Sequence, residues 1–244
     1  MLHDRFGRVR ARATGAALFY VPVLGTRALS AQLPGLPAAQ SAFPAPGLAV
    51  GFNAGHGDGR TVAGLVGATG VRRLQLTAAI GLPGALSGYD RSGVSGGARV
   101  SARLYRTTRL GVSAFAGYGG ERMRLQPLAA TTGSADTSTA RPTGRFTRIP
   151  VGVSAGVRGL FGDRPYAVSI APMYAYSRWK IADTSRTRSG ARVAALAELA
   201  LTPRIGAGVA AEVGGGGPPG SPYAPRGAVL GVGLSYAIHR VVAR

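Results

Sequence analysis

AVLGVGLSYAI, residues 228–238, puts Ala228, Leu230, Val232, Leu234, Tyr236 and Ile238 at every second position, with Val229, Gly231, Gly233, Ser235 and Ala237 between them. A strand turns successive side chains to opposite faces, so this segment has one apolar face and one small or polar face. The same period recurs upstream. Leu74, Leu76, Ala78, Ile80 and Leu82 share a face, as do Val94, Ala98, Val100, Ala102 and Leu104, and then Ile149, Val151, Val153, Ala155 and Val157. Tyr166, Val168, Ile170, Tyr174 and Tyr176 follow, then Val193, Ala195, Ala197, Leu199 and Leu201, then Ile205, Ala207, Val209, Ala211 and Val213.

This pattern predicts strands near 47–57, 61–68, 71–82, 93–105, 109–120, 146–159, 165–177, 191–202, 204–213 and 227–239. The second departs from period two at Val62, Leu65 and Val66, so an eight-stranded count with an embellished first hairpin stands beside ten.

The faces opposite the apolar ones hold mostly Gly, Ala and Ser, with Gln75, Thr77, Arg99, Arg103, Arg148, Arg158, Arg192, Glu198 and Glu212 among them. A soluble lipocalin-type barrel would turn its apolar face inward and need a well-solvated exterior. Small residues with sparse arginines make a poor exterior and a good narrow lumen. The expected fold is therefore all-β, an antiparallel up-and-down transmembrane β-barrel spanning residues 47–240, with Arg99, Arg103, Arg148, Arg158 and Arg192 facing the lumen beside Glu198 and Glu212. Those charges fit a structural plug of paired side chains; a narrow conduit for anions or small solutes is the other reading.

The connectors alternate in length. Gly70, 106–108, 161–164 and 202–204 read as tight turns, whereas 83–92, 121–145, 178–190 and 214–226 read as longer links. Outer-membrane barrels combine short periplasmic turns with longer extracellular loops. Aromatics sort the same way: Tyr118, Phe146, Tyr174, Tyr176 and Trp179 toward the long-loop end, Tyr105, Phe161, Tyr166 and Tyr236 toward the short-turn end.

Composition agrees. The chain has 244 residues, 45% hydrophobic and 16% charged, with 39 glycines and no run of apolar residues long enough for a spanning helix. It has no cysteine, hence neither disulfide framework nor thiolate metal site. Residues 1–31 have the layout of a signal peptide: Arg5, Arg8, Arg10 and Arg12, an apolar stretch from Ala16 to Leu24, and Ala28-Leu29-Ser30-Ala31, with cleavage expected after Ala31. Residues 32–46 are rich in Pro and Ala and read as a mobile periplasmic lead-in. The expected location is the cell outer membrane.

A net charge of +20 asks for an anionic partner, but no aromatic-basic interleaving or known motif points to nucleic acid. Arg122, Arg124, Arg178, Lys180, Arg186 and Arg188 fall in the long links, where a basic outer rim would meet lipopolysaccharide phosphates; a solvated face without a dedicated partner is the alternative. Chemistry has few candidates. His56 with Asp58, near Ser87, Tyr89, Asp90 and Ser92, is the one grouping suited to a lipid-modifying enzyme, and it matches no enzyme signature. No cluster of His or acids suggests a metal, and no cofactor is expected.

GVSAFAGYGG (111–120), RIPVGVSAGVRGLFG (148–162) and AVLGVGLSYAI (228–238) give the chain an architectural resemblance to small outer-membrane β-barrel proteins of the opacity-protein and OmpX-like kind. The resemblance implies insertion by the barrel assembly machinery, which reads a terminal aromatic. Here Tyr236 is followed by Ile238, His239 and the tail Arg240–Arg244.

Overall fold

The computed structural model describes residues 36–57, 60–83, 91–125, 143–181, 183–214 and 228–239; the signal layout at 1–31 lies outside them. Ten strands follow in chain order: β1 (Gly47–Gly57), β2 (Arg60–Val71), β3 (Leu74–Pro83), β4 (Arg91–Arg106), β5 (Leu110–Leu125), β6 (Thr143–Phe161), β7 (Arg164–Ile181), β8 (Thr184–Ala200), β9 (Ile205–Gly214) and β10 (Val229–His239). Each pairs antiparallel with its sequence neighbours, and β1 pairs with β10 to close the barrel. Closure leaves no sheet edge unpaired, which an open sheet in lipid could not tolerate.

The apolar alternation faces outward. Ile80, Val94, Val151, Ile170, Val209 and Val232 are all more than half exposed. A soluble lipocalin-like barrel is thereby excluded as the architecture, because its apolar set would be inside. The outer surface is that of a transmembrane barrel, apolar where water would demand charge.

β2 is a full strand, so the barrel has ten strands and not eight. Its irregular pattern has a cause: Leu65 faces out, while Val62 and Val66 are buried facing the lumen, where apolar partners await them. The turn expected at Gly70 falls instead at Arg72-Arg73, with Arg72 at φ 50°. Gly70 stays in the strand, and a Cβ there would collide with the Ala45 carbonyl.

Two other short turns use one device. Thr107 Oγ1 accepts from the backbone N–H groups of Arg109 (3.3 Å) and Leu110 (2.9 Å). Thr202 Oγ1 accepts likewise from Arg204 (3.2 Å) and Ile205 (3.0 Å). A threonine hydroxyl thus satisfies two donors that the turn takes out of the ladder.

The segment expected as the loop 178–190 is not a loop. β7 and β8 run on to Ile181 and Thr184, pairing Lys180 with Ser185, Trp179 with Arg186 and Arg178 with Thr187. Similarly, β5 reaches Leu125 and β6 begins at Thr143, which shortens the link expected over 121–145.

Candidate functional site: the filled lumen and the basic wall above it

Residues 36–46, read from sequence as a mobile lead-in, lie inside the barrel. Leu36, Ala38, Ala39, Gln40, Ser41, Ala42 and Phe43 are all buried. From Gly47, whose φ of 105° permits the reversal, the chain traced backward climbs the lumen from the short-turn end. Phe43 packs with Ala167 near that end, Ala38 and Ala39 with Phe115, Met173 and Leu196 at mid-height, and Leu36 with Val62 higher still.

The segment has no ladder, so its backbone polar groups are satisfied by lumen side chains. The Ala38 N–H donates to Glu212 Oε2 (2.6 Å), and the Ala42 N–H to Ser169 Oγ (3.0 Å). Arg99 donates to the Ala39 carbonyl (2.8 Å), Ser154 to that of Gln40 (2.6 Å) and Ser113 to that of Ser41 (3.1 Å). Ser41 Oγ donates to Glu198 Oε2 at 2.6 Å. Buried backbone groups require such partners, and here serines on neighbouring strands supply them.

Glycines make the room. A Cβ on Gly111 would lie 2.6 Å from the Phe43 ring, and one on Gly231 2.8 Å from Pro37 Cδ. Arg158 covers Phe43, its guanidinium 5.1 Å from the ring centroid, while donating to the Thr107 and Thr108 carbonyls at 3.0 and 2.9 Å.

Of the seven charged residues expected in the lumen, Arg99, Arg148, Arg192, Glu198 and Glu212 are buried there. Arg103 and Arg158 are part-buried toward the short-turn end. Glu212 accepts ion pairs from both Arg148 and Arg192. Glu121, which falls in a link by sequence, is also buried facing the lumen. Phe146 is buried inside too, and so leaves the outer aromatic set, whereas Tyr118 and Tyr174 stay exposed.

The expected loop cations sit on strands. Arg122 and Arg124 lie on β5, Arg178 and Lys180 on β7, and Arg186 and Arg188 on β8; Arg122, Arg178, Lys180, Arg186 and Arg188 are exposed. Register then creates a feature invisible in the sequence. Arg122 stands opposite Arg145, and Arg145 opposite Lys180, a row of three exposed cations across three adjacent strands. Like charges directly opposite are destabilising unless an anion sits between them. On the other face of the hairpin, Arg186 lies 5.6 Å from the Trp179 ring centroid.

His56 is exposed, its Nδ1 3.2 Å from Thr61 Oγ1. Asp58 and residues 87–90 lie outside the described residues, as does the Ser92 side chain, so the grouping around His56 is not assembled among the described residues. Among these, no three His, Cys or acidic residues form a metal-binding group.

The barrel is similar to small outer-membrane β-barrels of known structure. These include the KdgM porin in complex with disordered oligogalacturonate (10% identity, TM-score 0.38, covering 78% of this chain and 99% of that one). The attachment invasion locus protein Ail of Yersinia pestis matches at 12% identity and TM-score 0.33, over 78% of this chain and 95% of that one. The outer membrane protease OmpT of Escherichia coli matches at 9% identity and TM-score 0.34, over 79% and 94%. No family model matches the sequence, and no curated protein does. Likeness at these scores carries no residue correspondence.

Proposed function

We propose that the protein is an integral outer-membrane barrel, closed along its lumen by its own residues 36–46, that acts through its surface by binding the phosphates of lipopolysaccharide. The observation that carries this reading is the Arg122–Arg145–Lys180 row. It lies toward the long-loop end, beyond the exposed apolar face and near Tyr118, Tyr174 and Tyr176, rings suited to a lipid–water boundary. A phosphate there would meet several guanidinium and ammonium donors at once and relieve their mutual repulsion. Arg178 on the same hairpin extends the wall.

The filled lumen supports a surface role over a permanently open pore. Among the described residues, a cavity beside Leu36 and Pro37 has a volume of only ≈ 30 Å³, room for very few waters.

Thermal unfolding in vesicles with and without lipopolysaccharide tests the reading. The expected result is a midpoint raised by lipopolysaccharide, with the rise lost in high salt; no rise at low salt contradicts it.

A further inference from the structure

Resting on the reading of a membrane barrel, we infer that residues 36–46 are a releasable stopper: the lumen is a binding site for one peptide segment, and when the chain's own segment leaves, the lumen passes small anions.

Barrel closure does not depend on the segment. Residues 36–46 belong to no strand, and the ladder from β1 round to β10 is complete without them. The segment can therefore leave without breaking one inter-strand hydrogen bond of the wall.

Nor does the charge network depend on it. Glu212 keeps Arg148 and Arg192 whether or not the Ala38 N–H is present. Among the described residues, the bonds that would be lost join the segment to Arg99, Ser113, Ser154, Ser169, Glu198 and Glu212, and each of these groups is polar and hydrates readily once water fills the lumen. Water can exchange for such bonds at small net cost. The wall presents Phe115, Met173 and Leu196 to the segment, but the segment answers mostly with small side chains, Ala38, Ala39, Ser41 and Ala42. The larger anchors are Leu36 and Phe43.

The tether sits at one end. Among the described residues the segment joins the wall through Pro46 and Gly47, the latter in the left-handed region, so rotation there swings the segment toward the short-turn mouth. The vacated path is the width of one polypeptide strand. Arg99, Arg103, Arg148, Arg158 and Arg192 line it against Glu121, Glu198 and Glu212, an excess of positive charge that favours anions.

The chain has no cysteine of its own, so a lock can be installed cleanly. Ser169 Oγ lies 3.0 Å from the Ala42 nitrogen, and Ser169 Oγ and Ala42 Cβ both crowd the place of a Cβ on Gly156 (2.7 and 3.0 Å), so side chains at 42 and 169 are neighbours and cysteines there can be paired. The test is the full chain carrying Ala42→Cys and Ser169→Cys, recorded in planar bilayers in potassium chloride, reduced and then oxidised. Heat-modifiable migration on a gel is scored separately, so failure of the barrel is distinguished from failure of the stopper. The expected result is disulfide formation on oxidation, anion-selective conductance steps in the reduced protein, their loss on oxidation and their return with reductant. Silence in both states means that the segment is a permanent part of the core. Equal conductance in both states means that it closes nothing, and failure of the disulfide to form means that residue 42 does not lie beside residue 169; each overturns the inference.

Discussion

The backbone N–H of Ala38 donates a 2.6 Å hydrogen bond to Glu212 Oε2, the carboxylate that also holds Arg148 and Arg192. One buried side chain thereby ties β6, β8 and β9 to the segment in the lumen. A carboxylate with no exposed surface is sustainable only because its charge is met from two sides.

Glu212→Gln removes that charge and leaves two guanidinium groups facing each other. Breaking a buried pair by deleting one partner costs about 3–5 kcal/mol. Urea unfolding in vesicles should show a loss of that size; a loss under 1 kcal/mol would place the triad in solvent.

The stopper's seat depends on the absence of a side chain at Gly111. Gly111→Val drives two methyl groups toward the Phe43 ring and the Ala42 carbonyl. The readout is a cysteine at position 42, where Ala42 is fully buried. Maleimide should label it slowly when residue 111 is Gly and at least tenfold faster when it is Val, with the barrel still heat-modifiable.

Arg145→Glu should act with opposite signs in two lipids. In phospholipid vesicles it replaces two like-charge cross-strand pairs by attractive ones, worth roughly 0.2–1 kcal/mol each. In vesicles containing lipopolysaccharide the same substitution should abolish most of the stabilisation that the glycolipid confers. Equal effects in both lipids would remove the phosphate site.

Thr107→Val and Thr202→Val delete the hydroxyls that cap two short turns. Each should cost about 1 kcal/mol, with additive effects because the turns share no hydrogen-bond partners. Denaturant midpoints of the single and double variants check this.

The outer face was legible because most strands obey period two: residues such as Ile170 and Val232 needed only their parity to be placed. Arg99, Arg148, Arg192, Glu198 and Glu212 followed from the same parity. The stopper was not legible, because a Pro- and Ala-rich segment with no periodicity reads as a linker. A signal was present all the same. Val62, Val66, Phe115, Phe146, Met173 and Leu196 fall on inward positions, and large apolar residues facing a lumen imply something apolar inside it. The β7–β8 hairpin escaped notice because Thr184–Ser189 is polar on both faces, as a strand pair rising clear of lipid can be. The cation row could be read only from register, since Arg122, Arg145 and Lys180 are far apart in sequence.

The central claim is that the apolar outer face meets hydrocarbon, and Val232 tests it most directly, being 59% exposed on β10 opposite Val209. A fluorophore on Val232→Cys, in vesicles whose acyl chains carry bromine, should be strongly quenched by the lipid and untouched by aqueous iodide. Quenching by iodide with no effect of bromine would contradict the account.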